Sequence, residues 1–331
     1  MFKRQALFVV LVFLLTTLFI GWRAEQSGIA QGQELKPEWP TRDIKIIVPY
    51  KPGGGYDIKA RLIAPLLAKY LPHKANVVIL NVSGAGGSIG LRQGATSKPD
   101  GYTLVLTDPL VVGTFHKMGK LGTLDPKTLT FLGQLEQMGC VVIFGKTGRF
   151  KKLDDMRGQT IRFSSVGDNE LPSGALAEAL GGKALLIAYD GLPESIMAAA
   201  RGDIDAAVAS ANTAARQIKA LEGKLVPIAM IGGHNPRLPG IKTVTELGIN
   251  IDEEIGVHRI CLGGPPNMPI EVQKIVREAI HKATHDPEFA AGMEKAGYDA
   301  VPLGGSELEV VVNKIFKLVD KYEMFLPKAK D

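Results

Sequence analysis

The sequence predicts an α/β fold in two lobes, and three observations support this prediction. Short apolar runs rich in β-branched residues alternate with segments of helical periodicity, which is typical of β-α-β units and of mixed, mainly parallel sheets flanked by helices. The chain has 331 residues, enough for two hydrophobic cores. Glycine-rich or polar turns follow several of the apolar runs, so the strand ends at which α/β proteins bind ligands recur in both halves of the chain.

The first half of this alternation lies between residues 44 and 107. Apolar runs at 44–48, 77–80 and 102–107 predict three strands. Between the first two, residues 58–71 place Leu62, Leu66 and Tyr70 on related faces, which predicts a helix. Helix-like sequence also follows the glycines near residue 86, so a second helix is expected there.

The second half repeats the alternation before the chain becomes wholly helical. The predicted strands are 141–144, 160–163, 184–188, 204–209 and 226–231, and the predicted helices between them are 173–181, 192–201 and 212–221. After the Gly-Gly-Pro-Pro run at 263–266, the pattern predicts three further helices at 270–284, 287–296 and 306–325.

The first thirty residues have the layout of an export signal. Lys3 and Arg4 precede an unbroken apolar run at 6–20, and small residues stand at Gly28 and Ala30. This predicts cleavage after Ala30 and a periplasmic or other extracytoplasmic location. The apolar run is shorter than the roughly 20 residues that span a bilayer, and an uncleaved anchor is the alternative.

Composition argues against several classes of partner. The formal net charge is only +5, and basic residues are not interleaved with aromatic ones, so nucleic acid is not an expected partner. The His, Cys, Asp and Glu residues lack metal-ligand spacing, and we expect neither a metal nor a cofactor. Cys140 and Cys261, the only cysteines, lie in apolar runs; they are either two buried thiols or a disulfide.

Two glycine-rich loops give the main functional signal. Residues 48–57 (VPYKPGGGYD) follow the first strand, and residues 83–90 (SGAGGSIG) follow the second. Such strand-to-helix turns present backbone N–H groups and positive helix ends to one cleft, which suits a small carboxylate. Asp57 is either a helix cap or a fixed hydrogen-bond acceptor in that cleft. We therefore predict a binding protein with no catalytic site.

Polar residues also follow three strands of the second half. They are Ser164 and Ser165 after the strand at 160–163, Tyr189 and Asp190 after 184–188, and Ser210 after 204–209. Because the ends of parallel strands meet at one sheet edge, these residues predict a second lobe that faces the first.

The second loop also contains two weak enzyme-like motifs. Residues 84–89 approach a dinucleotide fingerprint, but Ile89 stands at its third glycine position. Gly86, Ser88 and Gly90 fit the G-x-S-x-G nucleophile elbow, yet the apolar run ends near Val82, too early for Ser88 to follow the strand directly. A serine hydrolase is therefore an alternative, as is a ligand-sensing module for a two-component kinase.

The chain resembles the periplasmic substrate-binding proteins of tripartite tricarboxylate transporters, the Bug family, over roughly residues 39–325. The matching motifs are Trp39-Pro40, the loops at 48–57 and 84–90, Pro-Asp-Gly-Tyr-Thr at 99–103, LPGIKTVTE at 238–246, PPNMP at 265–269 and DPE at 286–288. Several positions depart from the family pattern. Lys51 and Tyr56 predict a crowded, cationic pocket mouth, and GDNELP at 167–172 replaces a common G-S-x-x-H run.

The resemblance implies a type II-like periplasmic-binding-protein fold, in which two lobes joined by crossing strands close on a ligand like a flytrap. Lobe 1 would hold 38–138 and 262–331, and lobe 2 would hold 139–261. The expected partners are a small di- or tricarboxylate, or an aromatic carboxylate, and the membrane permease subunits of a transporter; we expect a monomer. The predicted ligand contacts are Tyr50, Pro52, Gly53, Gly54, Asp57, Ala85, Gly86, Gly87 and Asp108 in lobe 1, and Ser164, Ser165, Gly167, Glu170, Tyr189, Asp190 and Ser210 in lobe 2.

Overall fold

The computed structural model describes residues 38–166 and 169–326. The predicted export signal, its cleavage site after Ala30 and the candidate contact Gly167 lie outside the described residues. The described strands are β1 (Ile44–Val48), β2 (Val77–Asn81), β3 (Thr103–Thr107), β4 (Thr130–Met138), β5 (Cys140–Gly145), β6 (Thr160–Ser165), β7 (Lys183–Ala188), β8 (Ala207–Ser210), β9 (Leu225–Ile231) and β10 (His258–Gly264).

The first sheet has five strands in the order β2-β1-β3-β10-β4. Strand β1 pairs in parallel with β2 and β3, as expected for two consecutive β-α-β units, whereas β10 pairs antiparallel with β3 and β4. The central strands are almost wholly buried because helices cover both faces of the sheet.

The second layer consists of the antiparallel sheet β8-β5-β9 and the parallel pair β6-β7. A parallel bridge between Phe163 and Ala206 links β6 to the segment that leads into β8, so the two pieces are continuous. The prediction of mixed sheets is confirmed. The parallel share is smaller than expected because β5 and β10 each pair antiparallel on both sides.

The chain passes between the two layers in extended form. Strand β4 of the first sheet ends at Met138, and β5 of the second begins at Cys140, with a single residue between them. The return passes from β9 to β10 of the first sheet. Sequence patterning did not predict β4, because Gln134 and Glu136 interrupt its apolar run although both side chains are buried.

The described α-helices confirm the predicted alternation. They are α1 (Gly55–Tyr70), α2 (Ser88–Ala95), α3 (Pro109–Lys117), α4 (Glu170–Ala179), α5 (Leu192–Arg201), α6 (Ala211–Ala220), α7 (Ile270–Thr284), α8 (Pro287–Lys295) and α9 (Gly305–Tyr322). Helix α3 was not predicted. Its N-cap is Asp108, whose carboxylate accepts a hydrogen bond from the Leu110 N–H, and Pro109 occupies its first position.

Helix α9 contributes to the cores of both layers. Leu308 and Phe316 pack with β1 and β3 of the first sheet, whereas Ile315 and Leu318 pack with residues of β5 and β6. The lobe boundaries at 138/139 and 261/262 stay predictions. Cys140 in β5 and Cys261 in β10 are fully buried thiols, and burial raises the pKa of Cys261.

Candidate ligand-binding site

Three helices begin at the wall of one cavity. Helix α1 begins at Gly55 after strand β1, α5 begins at Leu192 after β7, and α6 begins at Ala211 after β8. The N-cap residues of these three helices make no side-chain capping hydrogen bond within the described chain. They are Gly54, Gly191 and Ser210, and all three line the cavity. Uncapped N-termini expose N–H donors and the positive end of the helix dipole. The cavity is therefore suited to an anion.

The cavity has a volume of about 170 Å³ and is lined by elements of both layers. Of the predicted ligand contacts, four lie in this lining, namely Tyr50, Pro52, Gly54 and Ser210. Further lining residues that the sequence did not single out are Gly55, Lys59, Val166, Leu192, Pro193, Glu194, Thr213 and Ile260. The expected convergence of a glycine loop from the first half with strand ends from the second is thus present around one space.

Gly55 brings the start of α1 close to three polar side chains, those of Thr213, Lys59 and Tyr298. A Cβ at this position would lie 2.9 Å from the Thr213 Oγ1 atom and 3.2 Å from the Lys59 Nζ atom. Thr213 is 3% exposed, and its hydroxyl has no hydrogen-bond partner among the described residues. A buried polar group without a partner costs stability, so an oxygen-bearing ligand at this point would satisfy it.

Lys59 is held in a buried ion pair. Its Nζ atom lies 2.5 Å from Glu136 Oε2 and 4.0 Å from the centre of the Tyr298 ring, and both charged side chains are at most 2% exposed. The Asn212 amide donates a further hydrogen bond of 2.8 Å to the Glu136 carboxylate. Removing either partner of such a pair would leave an uncompensated buried charge, which is strongly destabilising.

A sequence signal for Lys59 existed. It shares one face of α1 with Ile63 and Leu67, four and eight residues later, and both of these are fully buried. A lysine on the buried face of a helix needs a counter-charge, and Glu136 in the unpredicted strand β4 supplies it.

The mouth of the cavity is formed by an ion cluster between the first loop and the start of α5. Lys51 Nζ lies 3.3 Å from Asp190 Oδ2 and 3.4 Å from Glu194 Oε2. Hydrogen bonds to these carboxylates raise the pKa of Lys51. The expectation of a cationic mouth was wrong, since two carboxylates face this one ammonium group.

Asp57 holds the first glycine loop in place. Its side chain is 3% exposed, its Oδ2 atom accepts a 2.9 Å hydrogen bond from the Gly53 N–H, and Arg61 donates to both carboxylate oxygens. Burial raises the pKa of Asp57, but the bonds from Arg61 and Gly53 outweigh it and leave the pKa below its ordinary value. Asp57 is the third residue of α1, not its N-cap, and it lies outside the described cavity lining.

The second glycine loop packs beneath the first. Ala85, Gly86 and Gly87 form a short turn, and a Cβ at Gly87 would lie 2.6 Å from the Tyr50 ring. These three residues are outside the described cavity lining. Ser88 begins α2, and its hydroxyl donates to the Ala85 carbonyl oxygen at 3.1 Å. Ser88 is thus placed as part of the turn rather than at a strand-to-helix elbow.

The other predicted residues also lie outside that lining. Ser165 donates a hydrogen bond to Glu170, whose carboxylate pairs with Lys120 at 2.7 Å, and all of the Glu170 side chain is buried. The Asp108 carboxylate accepts hydrogen bonds from the backbone of Leu110 and Arg259.

Two more of these residues differ in exposure. Ser164 is fully buried within β6, whereas Tyr189 is half-buried, and burial raises the pKa of its hydroxyl. Their roles as ligand contacts stay predictions.

Two negative findings apply to residues 38–166 and 169–326. In these ranges, the side chains of His, Cys, Asp and Glu form no group of three that could hold a metal ion. A helix with the length and apolarity needed to cross a bilayer is likewise absent from the described segments.

The fold and the cavity together define a class of protein, the two-lobed α/β solute receptor. The chain belongs to the tripartite tricarboxylate transporter family of receptors, because the model of that family matches residues 59–314. This confirms both the predicted family and the prediction of a receptor instead of an enzyme.

The chain is also similar to a curated relative in sequence and to solved structures in fold. A UPF0065 protein of the TAR-I ttuE-ttuC′ intergenic region of Agrobacterium vitis is 28% identical over 83% of this chain and 78% of its own. R. palustris Rpa4515 with adipate has a TM-score of 0.74 at 22% identity, covering 87% of this chain and 98% of its own. MatC from Rhodopseudomonas palustris with bound malate has a TM-score of 0.72 at 20% identity, covering 87% and 100%. At this identity the two structures show a shared fold.

Proposed function

We propose that this protein captures a small organic carboxylate in the cavity at the start of α1 and presents it to the membrane subunits of a tripartite transporter. The single observation that carries the proposal is the meeting of uncapped helix N-termini with the unpartnered Thr213 hydroxyl beside Gly55. Backbone N–H groups and a hydroxyl can replace the water around one carboxylate, and the helix dipoles favour its negative charge.

The setting of the cavity favours capture by closure. Residues of the first loop, such as Gly54 and Gly55, form one wall, and residues of α5 and α6, such as Leu192 and Thr213, form the other. A ligand that touches both walls stabilises the closed arrangement, and Lys51 adds a contact across the mouth to Asp190 and Glu194.

Three further points support transport of a carboxylate. MatC and Rpa4515, which share the fold, hold malate and adipate in their structures. The family model describes receptors of a tripartite transporter, which implies permease subunits as partners. The export signal predicted from residues 1–30 agrees with a periplasmic receptor.

The direct test is ligand-dependent thermal unfolding of the refolded, ligand-free protein with a panel of mono-, di- and tricarboxylic, aromatic and amino acids. A ligand at a hundred times its Kd adds about 2.7 kcal/mol, which raises the Tm by several degrees. We expect such a rise with one or a few carboxylates, lost in Thr213→Val and kept in the matched surface variant Thr123→Val. If none of these acids raises the Tm, the proposal is contradicted.

A further inference from the structure

The charges around the cavity lead to a narrower ligand class. We propose that the site selects monocarboxylates, acids with one carboxylate and an uncharged apolar body, over di- and tricarboxylates. This inference rests on the proposed function, since it names the substrate class of the same site.

The ammonium group inside the cavity already has a counter-charge. Lys59 is the ammonium group nearest to Gly55, and Glu136 lies 2.5 Å from it, with both side chains at most 2% exposed. A ligand carboxylate that took over Lys59 would leave Glu136 buried with only the Asn212 amide as partner. Because an uncompensated buried charge is strongly unfavourable, Lys59 does not provide a net positive charge for the ligand.

The mouth of the cavity holds more negative than positive charge. Lys51 there is matched by Asp190 and by Glu194, so the mouth cluster has one negative charge in excess. A carboxylate placed at the mouth would compete with two resident carboxylates for a single ammonium group. The mouth therefore repels a second ligand carboxylate instead of binding it.

Little positive potential remains for a ligand. Glu194 lies in the first turn of α5, so the half positive charge of that helix N-terminus only reduces the excess negative charge of the mouth to about one half. Helix α6 has no acidic residue in its first turn. The acidic residue in the first turn of α1 is Asp57, which is bound to Arg61 and the Gly53 N–H. Each helix N-terminus is equivalent to roughly half a positive charge, so α1 and α6 together match about one carboxylate. The Arg216 guanidinium donates to the Tyr298 hydroxyl at 2.6 Å and lies outside the described cavity lining.

The rest of the wall is mainly apolar, although three hydroxyl-bearing side chains also line it, those of Tyr50, Tyr56 and Ser210. Val166, Leu192, Pro193 and Ile260 contribute apolar surface, and Val166 and Ile260 are at most 2% exposed. A second carboxylate among these side chains would lose its hydration without gaining a partner. An alkyl or phenyl body gains from the same surface.

The experiment compares matched acids that differ by one carboxylate. Isothermal titration of the ligand-free protein at neutral pH would use hexanoate against adipate, and phenylacetate against 4-carboxyphenylacetate. We expect the monocarboxylate of each binding pair to be at least about tenfold tighter. In Glu194→Gln, which removes the excess negative charge at the mouth, the ratio of adipate to hexanoate affinity should rise at least about threefold.

The matched control is Glu278→Gln, an exposed glutamate paired with Lys282 on α7, outside the described cavity lining, which should leave the ratio unchanged. If adipate binds as tightly as hexanoate or tighter in the wild-type protein, the inference is overturned while the carboxylate receptor stands. An unchanged ratio in Glu194→Gln also overturns it. If the panel of mono-, di- and tricarboxylates does not bind at all, the proposed function fails as well.

Discussion

The two glycine-rich loops look alike in sequence but have different physical roles. Both follow parallel strands of the first sheet and precede helices. In the first loop, the missing side chain of Gly55 leaves space between the start of α1 and the groups of Thr213 and Lys59. In the second loop, the space that a side chain would occupy is already filled, at Gly87 by the Tyr50 ring and at Gly90 by the backbone at Val82 and Pro49.

Glycine-rich sequence therefore indicates that other atoms come close to the backbone, but it does not identify those atoms. Around Gly55 the neighbours are ends of side chains facing a cavity, whereas around Gly90, in the first turn of α2, they are mainly backbone atoms of Val82 and Pro49, which directly follow β2 and β1. We therefore propose that the first loop contacts the ligand and that the second loop serves packing. Substitutions in the two loops should separate stability from binding.

The largest effect is expected for Gly90→Ala. A Cβ there would overlap the Val82 carbonyl oxygen and lie 2.8 Å from the Pro49 Cα atom. This backbone cannot shift easily, because the Val82 N–H donates a 2.9 Å hydrogen bond to the carbonyl oxygen of Val48 at the end of β1. We expect a loss of about 3 kcal/mol in the free energy of unfolding, measured by urea denaturation. Carboxylate affinity of the folded fraction should stay the same.

The matched control for this loss is Gly304→Ala, where the described structure places no atom within 4 Å of a Cβ and φ is −151°. Its unfolding free energy should change by less than about 1 kcal/mol. If both variants lose equal stability, the packing role of the second loop is wrong.

The next effect is expected for Gly55→Ala, and it should appear in binding. The added methyl would crowd the Thr213 hydroxyl and the Lys59 ammonium, which are ends of side chains and can shift. We expect carboxylate affinity to fall at least about tenfold, or about 1.4 kcal/mol, measured by calorimetry, while urea stability falls by less. Unchanged affinity would contradict the assignment of the first loop.

The smallest effect is expected for Asp57→Asn. The amide oxygen can still accept the Gly53 hydrogen bond, but the charge opposite Arg61 is lost, so we expect about 1 kcal/mol less stability at neutral pH. The bonds from Arg61 and Gly53 hold the folded pKa of Asp57 below its ordinary value. The carboxylate therefore stabilises the fold above its unfolded pKa, and this contribution disappears as the pH falls through the lower folded pKa.

Urea titrations of wild type and Asp57→Asn from pH 7 downward would measure this difference. The gap between the two proteins should be constant at neutral pH and close below about pH 4. A gap that widens on acidification would show that Asp57 does not stabilise the loop through its charge.

Local patterning could predict most of the fold. Strand β1 and helix α7 have the predicted bounds, because continuous β-branched runs and regular apolar spacing report buried faces directly. Strand β4 escaped prediction because Gln134 and Glu136 are buried in it through partners distant in the chain. Pairing between distant segments leaves no local signal.

The candidate site was predictable where backbone geometry decides it. Gly54 and Ser210 follow from helices that begin after strands. Lys59 and Thr213 were missed because their importance depends on Glu136 and on the meeting of two distant helices. The sign of the charge at the mouth could not be predicted from local sequence, because Asp190 and Glu194 are distant from Lys51 in the chain and pair with it only after folding.

The most direct measurement is a crystal structure of the protein with a bound monocarboxylate, hexanoate or phenylacetate. We predict that the carboxylate lies at the start of α1, within hydrogen-bond distance of the Gly55 N–H and the Thr213 hydroxyl. The apolar body of the ligand should pack against Val166 and Ile260. A carboxylate held instead by the loop at 85–87, away from Thr213, would contradict it.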